Sequence, residues 1–164
     1  MKTTARILAA GLLTLGCAAV HAQDPVKPAA DVEKLFTSPD PILNKNKQAA
    51  YHITKDLLEA GHWDEADKWL TKRYIQHNPQ ADSGLDGVVY YFTKVAKAVP
   101  KPVPVKAATP VVSVVAEGDI VMVSKMIELK DPKDPTKSYT TTWFDAWRFV
   151  DGKADEHWDP ATKK

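Results

Sequence analysis

The fold is decided near the end of the chain, by the stretch Phe144-Asp145-Ala146-Trp147-Arg148-Phe149-Val150-Asp151-Gly152-Lys153-Ala154-Asp155-Glu156-His157-Trp158-Asp159. Its centre is an Asp-Gly pair, a strong signal for a tight hairpin turn because both residues tolerate a positive φ. We expect one strand over residues 138–150, the turn at Asp151-Gly152, and a returning strand over residues 153–159. This stretch therefore predicts a β-hairpin.

Side chains at neighbouring positions of a strand point to opposite faces of the sheet. Asp145 and Trp147 therefore share a face of the first strand. On the returning strand His157 and Asp159 share a face, and Trp158 lies on the opposite one. The alternation predicts that His157 and Asp159 act together on one wall of a pocket.

Two further strands precede the hairpin. Residues 111–116 and 120–129 are rich in β-branched side chains, and Glu117-Gly118-Asp119 joins them through a tight turn. An exposed loop over residues 131–135 leads into the hairpin. These segments predict an antiparallel meander, and helices must cover one of its faces because a meander of this length cannot close alone.

The covering helices are expected earlier in the chain. Apolar residues recur at three- and four-residue steps between Asn44 and Gly61, and a second helix begins near Trp63 and includes Leu70. Residues 74–79 are extended, and Asp82-Ser83 is expected to cap a third helix. Helices followed by antiparallel strands predict an α+β fold, in one domain over residues 44–160.

Residues 1–22 have the features of a secretory signal peptide. Lys2 and Arg6 precede a short apolar stretch, and compact residues up to Ala22 suit a signal peptidase. The stretch is shorter than the ~20 residues that a spanning helix needs, although an uncleaved anchor remains an alternative. A lipoprotein anchored at Cys17 is disfavoured by a poor lipobox. We expect a periplasmic or secreted protein with a flexible leader over residues 23–43.

Composition excludes several classes of function. Cys17 is the only cysteine, so a chain cleaved after Ala22 has no disulfide, zinc–thiolate site or thiol nucleophile. Lys and Arg number 22 against 21 Asp and Glu, without a basic stripe, so nucleic acid is not an expected partner. The histidines lack metalloprotease spacing, and the chain has no glycine-rich phosphate loop, so neither a metal nor a nucleotide cofactor is expected.

Three features, in this order, are similar to those of SnoaL-like polyketide cyclases of the nuclear transport factor 2-like superfamily. They are a helical pair with Trp63 and Trp69, the extended residues 74–79, and the terminal hairpin with its Asp-Gly-Lys turn and Glu-His-Trp-Asp ending. The resemblance covers residues 44–159. It implies helices packed on a strongly curved antiparallel sheet, forming a cone with a pocket at its open end.

The resemblance also implies cofactor-free acid–base chemistry on a small hydrophobic carbonyl compound, of the cyclase, isomerase or aldol type. Such cyclases use a carboxylate near the end of the last strand as general acid and base, and Asp159 best matches that position. His157, His77 and Asp145 are then the expected orienting or polarising groups. The expected substrate-binding side chains are Trp147, Trp158, Tyr74 and Trp63.

Structural roles stay open for the same residues. Asp159 precedes Pro160, a context in which an aspartate often closes a strand. His77 is equally consistent with holding its turn, and Asp145 with an ion pair to Arg148. The tryptophans are equally consistent with positions in the core or at an interface.

The fold does not decide among three functions. The protein is a catalyst, a non-catalytic binder of small molecules, or an interaction module that forms a homodimer through the sheet face opposite the helices. For the third function, the candidate dimer contacts are Val111, Val121 and Val123.

Overall fold

The structure is a computed structural model that describes residues 23–163. The predicted signal peptide, with Cys17, lies outside these residues. Within them, no helix combines the length and the apolar character needed to cross a membrane.

A five-stranded sheet forms one layer of the fold, in the order β1-β5-β4-β3-β2. Its strands are β1 (Leu70–Gln76), β2 (Val111–Glu117), β3 (Ile120–Lys130), β4 (Ser138–Val150) and β5 (Lys153–Trp158). Strands β2 to β5 form the predicted antiparallel meander. The Asp151-Gly152 turn has φ values of 52° and 83°, as expected for this hairpin.

Strand β1 makes the sheet mixed, because it pairs with β5 in parallel. The prediction that Leu70 belongs to the second helix is wrong: a 3₁₀-helix over Trp63–Lys68 ends before it, and Leu70 opens β1. The Ala154 N–H donates to the Trp69 carbonyl at 2.8 Å. This long-range hydrogen bond holds Trp69, which follows the 3₁₀-helix, beside β5.

The helices differ from the prediction at their first turns. After the short α1 (Val32–Leu35), α2 (Pro41–His52) begins before the predicted Asn44, because Asp40 caps it by accepting from the Ile42 and Leu43 N–H groups at 2.8 and 2.9 Å. It continues as a π-helical segment over Ile53–Glu59. The next helix is α3 (Leu85–Tyr90), which continues as a π-helical segment over Tyr91–Val95.

The predicted Asp82-Ser83 cap of α3 is not formed. Gly84 occupies the cap position, and none of the described side chains caps the helix there. The Ser83 hydroxyl instead accepts the Gln76 N–H at 3.0 Å. The Ser83 hydroxyl, which the sequence predicted as a cap of α3, therefore binds the end of β1.

The core lies between the helices and the inner face of the sheet. Its largest fully buried side chains are Trp147, Phe36, Leu57, Leu70, Val88, Val111, Val121 and Val123. The prediction that Val111, Val121 and Val123 contact a second copy is therefore wrong. Val121 pairs directly with Trp147, so it shares the inner face and lies under the helices.

Residues 23–43, expected to be a flexible leader, lie against the domain. The Val26 N–H donates to the Thr140 hydroxyl at 2.7 Å, and the Ala29 N–H donates to the Val111 carbonyl at 2.8 Å. Phe36 is fully buried, with its ring 5.2 Å from that of Tyr51. Because this segment packs through irregular backbone hydrogen bonds, its sequence has no hydrophobic period from which the packing could be predicted.

The Phe36→Ala variant tests whether this segment contributes to folding. Removal of a fully buried phenylalanine ring is expected to lower the free energy of unfolding by about 3–5 kcal/mol. Ile42→Ala is the control, since Ile42 is 69% exposed and should change stability little. Urea unfolding measures both variants, and equal effects would contradict the docking of this segment.

Candidate functional site

A pocket of about 60 Å³ lies between the helices and the inner face of the sheet. Most of its wall is apolar and aromatic, formed by Ile53, Leu58, Trp63, Leu70, Tyr74, Tyr91, Phe92 and Trp147. The polar part of the wall is formed by Gln76, Asn78, Asp145, His157 and Asp159. A small number of polar groups in an apolar cavity is typical of a small-molecule site.

Both π-helical segments contribute to the apolar wall. The first supplies Ile53 and Leu58, and the second supplies Tyr91 and Phe92. The Phe92 ring stacks on that of Trp63 at 3.7 Å. π-helical turns are rare and occur frequently at functional sites, so their position supports a functional role for this pocket.

Asp145, His157 and Asp159 meet on the polar side, with the atoms they offer to a ligand all within 4.8 Å of one another. The register of the sheet causes this meeting. Trp147 on β4 pairs with His157 on β5, so Asp145 and His157 share the inner face. Asp159 follows β5 by one residue and lies on the same side.

The hydrogen bonds of Gln76 determine which nitrogen of His157 carries a proton. Gln76 Oε1 accepts the Asn78 N–H at 3.0 Å and also lies 2.7 Å from His157 Nδ1. An acceptor oxygen requires a donor, so His157 Nδ1 carries a hydrogen. His157 Nε2 lies 3.3 Å from Asp145 Oδ1, and these atoms are hydrogen-bonded only when Nε2 is also protonated. The geometry thus suits an imidazolium paired with a carboxylate.

Asp145 is buried but surrounded by donors. The Lys125 Nζ lies 2.7 Å from Oδ2, and the Trp143 Nε1–H donates to Oδ1 at 3.3 Å. Burial raises the pKa of the Asp145 carboxyl, but the His157 hydrogen bond and the charge of Lys125 outweigh burial and hold the pKa below its usual value. Asp145 is therefore an ionised carboxylate inside an apolar wall.

Asp159 is held by two hydrogen bonds at the edge of the same cluster. Its Oδ2 accepts from Asn78 Nδ2 at 2.8 Å, and its Oδ1 accepts the Ala161 N–H at 2.9 Å. The second bond is the local turn contact expected of an aspartate before Pro160. Asp159 thus both closes its strand and presents a fixed carboxylate to the pocket.

Two of the predicted site residues lie on the opposite face of the sheet. His77 Nε2 lies 2.8 Å from Glu156 Oε1, and the His77 ring stacks on that of Trp158 at 5.4 Å. Neither side chain belongs to the pocket wall. Trp158 follows His157 directly on β5, so the strand turns it away from the pocket. The structure brings the other predicted residues together: Asp145, His157, Asp159, Trp147, Tyr74 and Trp63.

The alternative role for Asp145, an ion pair with Arg148, is not formed. Arg148 lies on the outer face, where its Nη1 is 2.7 Å from Asp119 Oδ2 and its Nε donates to Glu156 Oε2 at 3.1 Å. Residues three apart on a strand point to opposite faces, which separates Asp145 from Arg148.

Sequence reasoning missed the polar support of the cluster, which comes from Lys125, Gln76 and Asn78. One signal was present: Lys125 continues the inward-facing series of Val121 and Val123 on β3. A lysine at an inward position predicts a buried carboxylate partner, because an unpaired buried charge is costly. The contributions of Gln76 and Asn78 gave no such signal, since they depend on contacts with β5.

The Asp145–His157–Asp159 cluster also has the residue types of a metal site. The Lys125 ammonium already neutralises Asp145 at 2.7 Å and would repel a divalent cation there. The charge arrangement therefore favours a proton-carrying cluster over a metal centre.

The Asp145→Asn variant tests the buried charge pairing. It is expected to lower the free energy of unfolding by roughly 1–3 kcal/mol at neutral pH, because Lys125 and His157 lose a charged partner. The folded state lowers the pKa of Asp145, so its contribution is complete above the ordinary carboxyl pKa of about 3.9. The contribution is lost as the pH falls through the folded-state value.

Urea unfolding of both proteins across the acidic range measures this difference. The two stabilities should converge as the pH falls. A difference that grows on acidification would contradict an ionised, stabilising Asp145.

Comparisons with known proteins identify the family. A family model described as a SnoaL-like domain matches residues 52–157, more than half of the chain. No curated protein matches the chain.

Solved structures of similar fold include two candidate polyketide cyclases. One, from Acidithiobacillus ferrooxidans, has 17% sequence identity and a TM-score of 0.50, and the match covers 70% of this chain and 86% of the other. The second, a candidate SnoaL-like polyketide cyclase from Jannaschia sp. CCS1, has 16% identity and a TM-score of 0.52, covering 76% of this chain and 91% of the other. At these identities the likeness shows the fold alone. It confirms the predicted α+β cone, and the family model shows that the chain belongs to the SnoaL-like family.

Proposed function

We propose that this protein is an exported SnoaL-like enzyme that binds a small hydrophobic carbonyl compound and moves a proton on the carbon next to the carbonyl, without a cofactor. The meeting of Asp145, His157 and Asp159 on one wall of an otherwise aromatic pocket carries this proposal. Carboxylates and imidazoles are the side chains most used for general acid–base catalysis.

Asp159 is the proposed base. Its carboxylate takes the proton from the α-carbon, the C–H electron pair moves into the carbonyl, and an enolate with negative charge on oxygen results. Return of the proton to a different atom gives an isomerisation. Attack of the enolate carbon on a second carbonyl forms a C–C bond and an alkoxide, which takes the proton back from Asp159 and completes an aldol-type cyclisation. The bonds from Asn78 and Ala161 fix the direction of the carboxylate, and such positioning is a major part of catalysis.

His157 and Asp145 supply the electrostatic environment of the proposed reaction. An imidazolium near the developing enolate stabilises its negative charge. Asp145 faces one nitrogen of this ring at 3.3 Å, and Gln76 fixes the orientation of the ring through the other nitrogen. The positive charge of Lys125 balances Asp145, so the wall carries fixed charges before substrate binds.

The size of the pocket favours a compact substrate. A volume of about 60 Å³ corresponds to roughly four to six water molecules. The Trp63–Phe92 stack and Trp147 offer flat apolar surfaces to such a molecule. A small ketone or aldehyde with little branching fits these walls.

The Asp159→Asn variant tests the catalytic proposal. Incubation with cyclopentanone in D₂O should replace its α-protons by deuterium, and proton NMR measures the rate. The variant should lose about 100-fold or more of the protein-dependent rate, because the amide does not accept a proton. Asp119→Asn is the matched control, since Asp119 is exposed and its side chain pairs with Arg148 on the outer face, away from the pocket.

A rate that is unchanged in Asp159→Asn removes this residue from the mechanism. Binding of cyclopentanone without any deuterium exchange favours the alternative, a non-catalytic binder of small molecules. The export part of the proposal rests on residues 1–22 alone, and the intact mass of the protein from the exported fraction tests it.

A second candidate function, dimerisation, is favoured by an apolar row across the outer face of the sheet. Val115, Met122, Ala146 and Trp158 are direct partners on four neighbouring strands. Val115 is 55% exposed and Met122 is 36% exposed. We propose a second copy of the chain as the partner of this row, because an exposed apolar patch of this kind commonly marks an interface.

The Met122→Lys variant tests this interface. A lysine at the centre of the row should convert a dimer to a monomer, because burial of its unpaired charge is costly. Light scattering after size exclusion measures the mass. Val105→Lys is the control at a highly exposed position outside the sheet. A monomeric unmodified protein would contradict the proposed dimer.

A further inference from the structure

Tyr74 lies in the pocket wall with a hydroxyl that the acid–base proposal does not use. Its side chain is buried, on the inner face of β1. The Trp147 Nε1–H donates to the Tyr74 hydroxyl oxygen at 3.3 Å. A buried hydrogen bond therefore connects Trp147 on β4 with Tyr74 on β1.

The direction of this hydrogen bond is fixed by chemistry. An indole N–H can only donate, so the Tyr74 oxygen is the acceptor and its own hydrogen is free to point elsewhere. Among the side-chain hydrogen bonds of residues 23–163, the Tyr74 hydroxyl takes part only as the acceptor from Trp147. A phenol hydroxyl can donate one hydrogen bond while it accepts another, so the Tyr74 hydrogen is available to an acceptor bound inside the pocket.

The surroundings keep this hydrogen in place. Burial raises the pKa of the Tyr74 phenol, and the negative charges of Asp145 and Asp159 raise it further. The phenol is thus a neutral donor at any physiological pH. The near-parallel rings of Tyr74 and His157, 6.4 Å apart, place it beside the acid–base cluster.

We propose that the Tyr74 hydroxyl donates a hydrogen bond to the carbonyl oxygen of the bound molecule, and that Trp147 is the positioning residue that holds and polarises it. This inference deepens the proposed function, on which its catalytic meaning rests. The donor stabilises the negative charge that develops on oxygen when Asp159 removes the α-proton. No covalent bond to Tyr74 forms or breaks, since the phenol keeps its proton.

Trp147 contributes beyond packing in this arrangement. Donation from its indole to the Tyr74 oxygen polarises the phenol and strengthens the next hydrogen bond in the chain. It also uses a lone pair of the oxygen, so the phenol hydrogen is turned away from Trp147. The ligand class that fits is a compound with one carbonyl oxygen and an adjacent C–H. Its oxygen accepts from the Tyr74 hydroxyl, and its C–H faces the base Asp159.

Infrared spectroscopy of carbonyl-labelled cyclopentanone tests the inference, because a hydrogen bond to the oxygen lowers the stretching frequency of the bound carbonyl. The unmodified protein should show a bound band below that of the ketone in an apolar solvent. Tyr74→Phe should lose this lower band and bind cyclopentanone about 2- to 10-fold more weakly, as expected for one hydrogen bond. Tyr90→Phe is the matched control, since Tyr90 is 62% exposed on α3.

Two further variants separate donation from packing. Trp147→Phe should keep the bound band but move it toward higher frequency, since the phenol loses its polarising donor. Incorporation of 3-fluorotyrosine at position 74 makes the phenol more acidic without changing its shape, and should lower the band further. A role in packing alone would leave the frequency unchanged in the fluorinated protein.

The outcomes distinguish this inference from the proposed function. An unchanged band in Tyr74→Phe, or no bound band in the unmodified protein, overturns the inference, and an internal water is then the partner of Tyr74. A shifted band that depends on Tyr74, without any deuterium exchange, supports the donor and contradicts the catalytic proposal. Exchange that depends on Asp159 but not on Tyr74 supports catalysis and contradicts the donor.

Discussion

The pairing of β4 with β5 is the constraint on which the rest of the structure depends. It places Trp147 opposite His157, so one inner face carries the largest core side chain and the acid–base cluster together. The parallel addition of β1 to β5 then brings Tyr74 and Gln76 to the same wall. A one-residue slip of β5 would turn His157 to the outer face and bring Trp158 inward.

The buried charges are tolerated because each has a partner. Asp145 is paired with Lys125 and His157, and His157 is held from its other nitrogen by Gln76. An isolated charge in such a wall would cost several kcal/mol, and partners with good geometry offset that cost. A wall of this kind gives fixed charges to a small pocket without reorganisation when a ligand binds, which suits the proposed proton transfer.

The sequence predicted the fold class, the meander and its Asp-Gly turn, because these depend on local chemistry. It also predicted most of the cluster, since the alternation of β4 and β5 places Asp145 with Trp147 and His157 with Asp159. The failures are of a different kind. The start of β1 and the contacts of residues 23–43 depend on partners far away in the chain. The Asp82-Ser83 cap fails because the Ser83 hydroxyl binds Gln76 at the end of β1, a contact that the helix signal does not contain.

The amino-acid sequence by itself determined the α+β order of the elements, the family and the strand faces, because the period of two and the turn residues act between near neighbours. Only the tertiary structure decided that His77 lies on the outer face while Lys125, Gln76 and Asn78 support the site. The reason is physical. Gln76 and His157 are hydrogen-bonded although they are 81 positions apart in the chain, and Tyr74 and Trp147 are hydrogen-bonded although they are 73 positions apart. Contacts at such separations follow from how the sheet packs against the helices and not from local propensity.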